Sequence, residues 1–225
     1  MSNIGILGGT FDPVHMGHIE LAIKAYEEYA LDKIWFMVSK KPPHKKNRVI
    51  TDNIHRINMV KLAIEDYPFM EFSDFEMKRE GYIYTADTLT LLTEQNPKDK
   101  YFFIVGGDSI RDLNTWYHPE IVLSKSTIIA ATRDGINDSI YDNIVKDLLK
   151  QYSVANPHIE KLEINPIEVS SSDIRAKFYS SSNEIKKYLN KKVIKYIEDN
   201  KLYLPEVNSW MNSLQKKIIW SLDNN

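Results

Sequence analysis

Cysteine is absent from the 225-residue chain. This absence excludes disulfide bonds, zinc sites built from thiolates and catalysis by a cysteine nucleophile. Two kinds of segment are missing as well: a run of about 18 apolar residues, which a transmembrane helix requires, and the basic start and small-residue cleavage site of a signal peptide. We therefore predict a soluble, cytoplasmic protein with no membrane partner.

A strong charge of either sign is absent too. The chain has 29 Lys and Arg against 31 Asp and Glu, which gives a formal net charge of -2 at pH 7. Proteins that coat DNA or RNA usually carry a basic excess, so no nucleic-acid partner is expected. The 43% of hydrophobic and 27% of charged residues are ordinary for a globular domain.

Short apolar runs alternate with segments of helical periodicity along the chain. The predicted strands are 3–7, 34–38, 101–105 and 127–131, with weaker extended stretches at 70–77 and 162–164. The predicted helices are 17–30, about 51–66, 85–93, a part of 134–150, and 192–201. Strands that alternate with helices predict an α/β fold with a mostly parallel sheet.

The strongest candidate site follows the first predicted strand, where residues 8–18 read GGTFDPVHMGH. Ligands of open α/β sheets bind at the carboxyl ends of strands. Gly8 and Gly9 allow a phosphate to approach the backbone, and His15 and His18 lie in the positive field of a helix start. The segment is neither a Walker loop nor G-x-G-x-x-G, which excludes generic ATPases and NAD dehydrogenases.

Two other interpretations of this segment stay open at the level of sequence. The glycines could form a plain turn beside surface histidines, or Asp12, His15 and His18 could bind a metal ion. The spacing H-x-x-H without a clear further ligand is weak support for the metal site.

The segment resembles the opening of the H-x-G-H nucleotidylyltransferases, especially the bacterial nicotinate-mononucleotide adenylyltransferases, which begin G-G-T-F-D-P-x-H-x-G-H. Four later segments are similar to motifs of that family in order and spacing, from about residue 4 to 204. They are KPPHK at 41–45, YTADT at 84–88, FIVGGD at 103–108 followed by Trp116-Tyr117, and VSSSDIR at 169–175. Ser172 stands where the family usually has threonine. The resemblance implies a Rossmann-like fold with helices on both faces of the sheet.

The resemblance also implies an activity. The family transfers the adenylyl group of ATP to nicotinate mononucleotide, with deamido-NAD and pyrophosphate as products, by direct attack of the mononucleotide phosphate on the α-phosphorus. Mg²⁺ accompanies ATP and is held mainly by phosphates and water, so no protein metal ligand is expected. The alternatives are an enzyme that prefers nicotinamide mononucleotide and a nucleotide sensor without catalysis. A homo-oligomer is common in the family.

Site residues are carried over by the same motifs. The implied catalytic residues are His15, His18, Lys45 and Arg175. The implied ATP-binding residues are Gly8, Gly9, Thr10, Phe11, His15, His18, Gly106, Asp108, Ser171, Ser172 and Arg175. The implied residues for nicotinate mononucleotide are Ser39, His44, Lys45, Thr85, Asp87, Trp116 and Tyr117.

Each of these later motifs also has a plain structural interpretation. The run 170–175 is a good helix cap, a lysine in a basic loop is usually solvated, and Gly-Gly-Asp at 106–108 could be a turn. Trp116 could stack on the pyridine ring or pack in the core.

A C-terminal extension follows the part of the chain that resembles the family. We predict a catalytic domain over 1–204 and an amphipathic helix in 205–225, because Trp210, Leu214, Ile218 and Leu222 recur at a spacing of four. The extension could pack on its own domain or form a subunit contact.

Overall fold

Parallel strands form the central sheet of the protein. The structure is a computed structural model that describes residues 1–40, 50–133, 138–165, 167, 169–180 and 184–205. The strands are β1 (Asn3–Gly9), β2 (Lys33–Val38), β3 (Met70–Ser73), β4 (Lys100–Gly106), β5 (Thr127–Arg133) and β6 (His158–Ile164). They lie in the order β3-β2-β1-β4-β5-β6, and every neighbouring pair is parallel.

Helices cover both faces of this sheet. They are α1 (Met16–Glu28), α2 (Asn53–Ile64), α3 (Thr85–Gln95), α4 (Gly107–Arg111), α5 (Pro119–Lys125), α6 (Asp138–Gln151), α7 (Ser171–Lys177) and α8 (Lys191–Asp199). No helix in the described ranges is long and apolar enough to cross a membrane.

The central strands are apolar on both sides because each side meets a different layer of helices. In β4, Ile104 joins the core under α1, α2 and α8, whereas Phe103 and Val105 join the core under α3, α5 and α6. The same alternation separates Leu7 from Ile6 in β1. A strand buried on both faces reads as a continuous apolar run, which is why these strands are recognisable in the sequence.

The strand register brings several carboxyl ends to one edge of the sheet. Gly9 pairs with Val38 across β1 and β2, and Gly106 pairs with Ala131 across β4 and β5. The order of the strands along the sheet changes direction between β1 and β4. The helices that follow these two strands pack on opposite faces of the sheet. A crevice at such a reversal is the usual ligand site of open α/β sheets.

The predicted α/β fold is confirmed, and four elements differ from the sequence prediction. Extended structure after β2 ends at Ser73, because 75–78 form a turn. β6 begins at His158 instead of Leu162, since charged residues at this sheet edge mask the strand pattern. Helices α4 and α5 were not predicted, because their five and seven residues are too few to establish a helical period.

Candidate active site

His15 and His18 lie side by side where β1 passes into α1. His15 is the residue before the first turn of α1, and the centroids of the two imidazole rings are 3.8 Å apart. The backbone N–H of His15 donates to Nδ1 of His18 at 3.2 Å. Since Nδ1 accepts this hydrogen bond, a neutral His18 carries its proton on Nε2. The two predicted catalytic histidines therefore share one helix N-terminus.

Packing within the loop sets where these rings lie. A Cβ atom on Gly17 would stand 3.1 Å from the His15 ring, and one on Gly9 would stand 2.9 Å from the Phe11 ring. The distance at Gly9 is shorter than real Cβ contacts, so a side chain there would displace the buried Phe11 ring, and a side chain at Gly17 would push the His15 ring by a few tenths of an ångström. Phe11 is 2% exposed and adopts a left-handed backbone with φ 49°. Its side chain thus belongs to the core, and only its backbone can serve a ligand.

Helix α7 contacts the same loop and packs on the same face of the sheet as α1. Ser170 caps the helix by accepting from the Asp173 backbone N–H, so the capping interpretation is correct for Ser170. The next serine does something else: the Ser171 hydroxyl donates to the carbonyl of Pro13 at 2.8 Å. Arg175 donates to the carbonyl of Asp12 at 2.6 Å and to the Ser172 hydroxyl at 3.2 Å. The 169–175 motif therefore joins the histidine loop in space.

The carboxylate of Asp12 is buried inside the loop and surrounded by donors. It accepts from the Tyr203 hydroxyl at 2.8 Å and from the Thr51 backbone N–H at 3.3 Å, and Arg175 lies 3.9 Å away. These partners compensate a charge that is only 4% exposed. Within the described ranges, no group of three or more His, Asp or Glu side chains is arranged to hold a metal ion. The oxygens of Asp12 are already engaged by protein donors.

Arg56 is a site residue that the sequence reasoning missed. It is fully buried and donates to the carbonyls of Thr10 at 2.7 Å, Ser39 at 3.0 Å and Thr51 at 2.9 Å, and also to the Asn53 side chain. Burial lowers its pKa, and the charge of Asp12 opposes that shift. One guanidinium thus ties together the ends of β1 and β2 and the start of α2.

A sequence signal for Arg56 does exist. The buried face of α2 contains Arg56, Met59, Val60, Ala63 and Ile64, which follow a helical spacing of three and four. A face defined by the apolar residues of this helix alone leaves Arg56 outside it. An arginine in phase with a buried face indicates a guanidinium that has backbone partners.

The predicted mononucleotide side begins at the end of β2. Both backbone groups of Ser39 form hydrogen bonds. Its N–H donates to the Gly9 carbonyl at 2.8 Å, and its carbonyl accepts from Arg56. Lys40 crosses to the turn after β3, where its ammonium donates to the carbonyls of Met77 at 3.3 Å and Arg79 at 2.8 Å. This contact links the end of β2 to the turn that precedes α3.

A polar network lies at the start of α3, next to Thr85 and Asp87, which are predicted to bind the mononucleotide. The Thr88 hydroxyl donates to Glu76 at 3.0 Å, and Arg79 donates to Thr88 at 2.9 Å. Arg79 also lies 3.9 Å from the Asp87 carboxylate. Burial raises the pKa of Glu76 to about 7 despite its bond to Thr88. Asp87 is therefore engaged with Arg79, while Thr85 begins the helix.

The aromatic pair Trp116 and Tyr117 follows the short helix α4. Trp116 is half-buried and meets Phe103 edge to face, with ring centroids 6.0 Å apart. Tyr117 is 47% exposed and packs on Tyr84, with centroids 4.3 Å apart. Core packing is thus part of the role of Trp116, and the Tyr84–Tyr117 pair brings the two family motifs at 84–88 and 116–117 into contact.

Several predicted site residues lie outside the described residues. They are His44 and Lys45 in the 41–49 segment, and the side chain of Asp108. Gly106 lies within the described residues. It is the last residue of β4, and a Cβ atom at this position would meet no other atom within 4 Å. The predicted helix in 206–225 also lies outside the described residues.

Comparison with known proteins decides the family. A model of the cytidylyltransferase-like family matches residues 6–177. The nicotinate-nucleotide adenylyltransferase of Bacillus subtilis is 39% identical over 204 residues, which are 90% of this chain and 99% of that protein. The chain belongs to the nicotinate-nucleotide adenylyltransferase family. It is therefore an enzyme of the nucleotidyltransferase class, and the predicted family is confirmed.

Other proteins with nicotinate-nucleotide adenylyltransferase names are also similar to this chain. A Lachnoclostridium phytofermentans protein named a probable nicotinate-nucleotide adenylyltransferase is 40% identical over 204 residues, or 91% of this chain and 100% of that protein. The solved nicotinic acid mononucleotide adenylyltransferase of Plasmodium falciparum, complexed with NaAD, has a TM-score of 0.74 at 25% identity. It covers 90% of this chain and 98% of its own. The same enzyme complexed with APC has a TM-score of 0.73.

Proposed function

We propose that this protein transfers the adenylyl group of ATP to nicotinate mononucleotide, forming deamido-NAD and pyrophosphate in the cytoplasm. The observation that carries the proposal is the pair His15 and His18 at the N-terminus of α1, at the carboxyl end of β1 and beside Arg175. Donors and positive charge gathered at the strand-order reversal suit a polyphosphate.

The reaction needs no nucleophilic side chain, because the mononucleotide phosphate is itself the nucleophile. An oxygen of that phosphate forms a new bond to the α-phosphorus of ATP, and the bond between this phosphorus and the bridging oxygen to the β-phosphate breaks. Pyrophosphate leaves with the electron pair. Catalysis then depends on alignment of the two phosphates and on stabilisation of charge in the transition state.

His18 supplies a donor of the required kind. Its Nδ1 accepts from the His15 backbone, so Nε2–H is the hydrogen-bond donor of the neutral ring. Directed at an α-phosphate oxygen, this group stabilises charge that develops as the leaving group departs. The helix start adds a positive field at the same place. His15 and His18 therefore act on ATP from one rigid element.

Arg175 and the loop residues position the triphosphate. The Arg175 guanidinium donates to the Asp12 carbonyl. Because the Arg175 side chain is also 31% exposed, part of it faces solvent. A planar fork of donors suits β- and γ-phosphate oxygens. Lys45, His44 and Asp108 remain proposals from family resemblance.

The choice of nicotinate mononucleotide is supported by relatives that carry this substrate in their names. The start of α3 and the Tyr84–Tyr117 pair, together with Trp116, offer backbone amides and aromatic faces on the side of the crevice where Lys40, after the end of β2, bonds to the turn before α3. An aromatic face suits a flat pyridine ring. We assign the mononucleotide to this side and ATP to the histidine side.

Magnesium enters this proposal only with ATP. The one carboxylate in the 8–18 loop, Asp12, is engaged by Tyr203, Thr51 and Arg175, and the neighbouring side chains are histidines that suit anions. This donor set fits a phosphate and does not fit a protein-held Mg²⁺. Mg²⁺ would thus be held by phosphate oxygens and water, as is usual for this ion.

The test is an assay of pyrophosphate release from ATP with each mononucleotide in turn. We expect turnover with nicotinate mononucleotide and a clearly lower kcat/KM with nicotinamide mononucleotide. Equal or better use of the amide would overturn the choice of substrate. Absence of pyrophosphate release with both, while ATP still binds, would favour a sensor instead of an enzyme that uses either mononucleotide.

A further inference from the structure

Tyr203 connects the end of the described chain to the histidine loop. It lies four residues after the end of α8, in a turn where its backbone is left-handed with φ 63°. Its hydroxyl donates to Oδ1 of Asp12 at 2.8 Å, although the two residues are 191 positions apart in the sequence. The same hydroxyl lies 3.8 Å from the sulfur of Met59 in α2. None of the site motifs of the sequence includes Tyr203.

The buried negative charge of Asp12 is stabilised in part by the hydrogen bond from Tyr203. Its Oδ1 accepts from Tyr203, while Oδ2 accepts from the Thr51 N–H and faces Arg175. A buried carboxylate that loses one of its donors moves toward water or toward its other partners. Because His15 is only three residues further along the same loop, such a movement would carry the histidine rings with it.

We propose that Tyr203 is a positioning residue for adenylyl transfer: its hydroxyl holds Asp12, and through Asp12 it orients the loop that carries His15 and His18. This inference rests on the proposed function. The hydroxyl is a dependable donor, since burial first and the Asp12 charge second raise the pKa of Tyr203. Tyr203 itself contacts no reacting atom, so its effect on the reaction passes through the loop.

The expected kinetic signature follows from this indirect role. A displaced loop still offers donors to ATP, so substrate binding changes little. The alignment of those donors with the transition state suffers more, because rate depends steeply on the geometry of reacting groups. Loss of the hydroxyl should therefore lower kcat and leave KM for both substrates nearly unchanged.

The test is Tyr203→Phe in the full-length protein, with Tyr179→Phe as the matched control. Tyr179 is a 39% exposed tyrosine whose ring packs on Phe178, so its variant should keep wild-type kinetics. For Tyr203→Phe we expect kcat to fall about tenfold while thermal unfolding stays cooperative. Wild-type kcat in this variant would overturn the inference. An inactive wild type would instead overturn the proposed function, so the two failures are distinguishable.

A double-mutant cycle with Asp12→Asn separates positioning from a general loss of stability. Both single changes remove or weaken the same hydrogen bond, so their effects on kcat should not add. Fully additive effects would show that Tyr203 acts on turnover by another route. If Tyr203→Phe folds poorly, Asp12→Asn alone decides: an unchanged kcat in that variant would also overturn the inference.

Discussion

His18 is the single residue on which the proposed chemistry depends most directly. Its ring lies against His15 at 3.8 Å and against Phe11 at 5.0 Å, and its Nδ1 is held by the His15 backbone. These contacts fix the ring plane before any ligand arrives. A donor that needs no rearrangement stabilises a transition state more effectively than a mobile one.

Replacement of His18 by alanine should therefore remove turnover and leave the fold intact. We expect His18→Ala to lower kcat by about 10²-fold or more, the scale typical of a lost donor to developing charge. The measurement is steady-state pyrophosphate release, with circular dichroism as the control for folding. A variant that keeps wild-type kcat would remove His18 from the catalytic residues.

Arg56 shows how a charge can serve a site without touching a ligand. Its guanidinium is fully buried, and it bonds to the carbonyls of Thr10, Ser39 and Thr51. These carbonyls belong to three different segments that all border the crevice. A lysine carries the same charge but has one nitrogen, so it cannot reach partners spread over this arc.

Arg56→Lys should consequently destabilise the protein by about 2–3 kcal/mol, because buried carbonyls lose their donors. Urea unfolding monitored by circular dichroism measures the free energy of unfolding. Arg111→Lys is the matched control: Arg111 is exposed at the end of α4, and we expect a change within about 0.5 kcal/mol. Equal stabilities of the two variants would contradict the bridging role of Arg56.

At the scale of elements, helix α3 and the turn before it form a unit centred on Glu76. Glu76 is 9% exposed, and its neighbours are the Thr88 hydroxyl and Arg79. Burial raises the pKa of Glu76 from 4.5 to about 7, so the folded protein binds this proton more tightly than the unfolded chain. Folding is therefore favoured by Glu76 at low pH, and this contribution disappears as the pH rises from about 4.5 to about 7.

Glu76→Gln should remove this pH dependence, because glutamine stays neutral and still accepts from Thr88. Relative to wild type, the variant should gain about 3 kcal/mol of stability between pH 4.5 and pH 8, as the pKa shift implies. Urea unfolding at several pH values measures the difference. The exposed Glu80 supplies the control variant Glu80→Gln. A difference from wild type that does not change with pH would refute the prediction.

Elements differ in how much of them could be predicted from the sequence. The central strands β1, β2 and β4 are buried on both faces, so their apolar runs stand out. The first half of edge strand β6, at 158–161, and the seven-residue α5 were not predicted, because each owes its form to neighbours that are distant in sequence. The burial of Arg56 in α2 was not predicted, since a guanidinium is buried only where loop carbonyls surround it.

At the scale of the whole molecule, the last described residues of the chain contact the candidate site. The alignment with the Bacillus subtilis enzyme covers 99% of that protein with 90% of this chain. Tyr203, close to the end of the described residues, reaches Asp12 in the crevice. The domain boundary near 204 and the amphipathic character of 206–225 stay predictions.

Deletion of 206–225 should leave the chemistry intact, provided that Tyr203 is retained. We expect kcat within about twofold of the full-length protein, since every family motif precedes residue 204 and chain termini tolerate change best. Stability or oligomer size should change instead, which thermal unfolding and light scattering would measure. A truncated protein that stays folded but loses turnover would show that the extension takes part in the site.

The sequence by itself determined the family, the alternating α/β order and the motif residues of the site, because these depend on local patterns and on spacing along the chain. Only the tertiary structure decided which side chains support those motifs. Arg56 reaches Thr10, Tyr203 reaches Asp12, and Ser171 reaches Pro13 across 46, 191 and 158 positions of sequence. Such partners are set by the parallel sheet, which brings strand ends together at one edge, and no local pattern encodes their meeting.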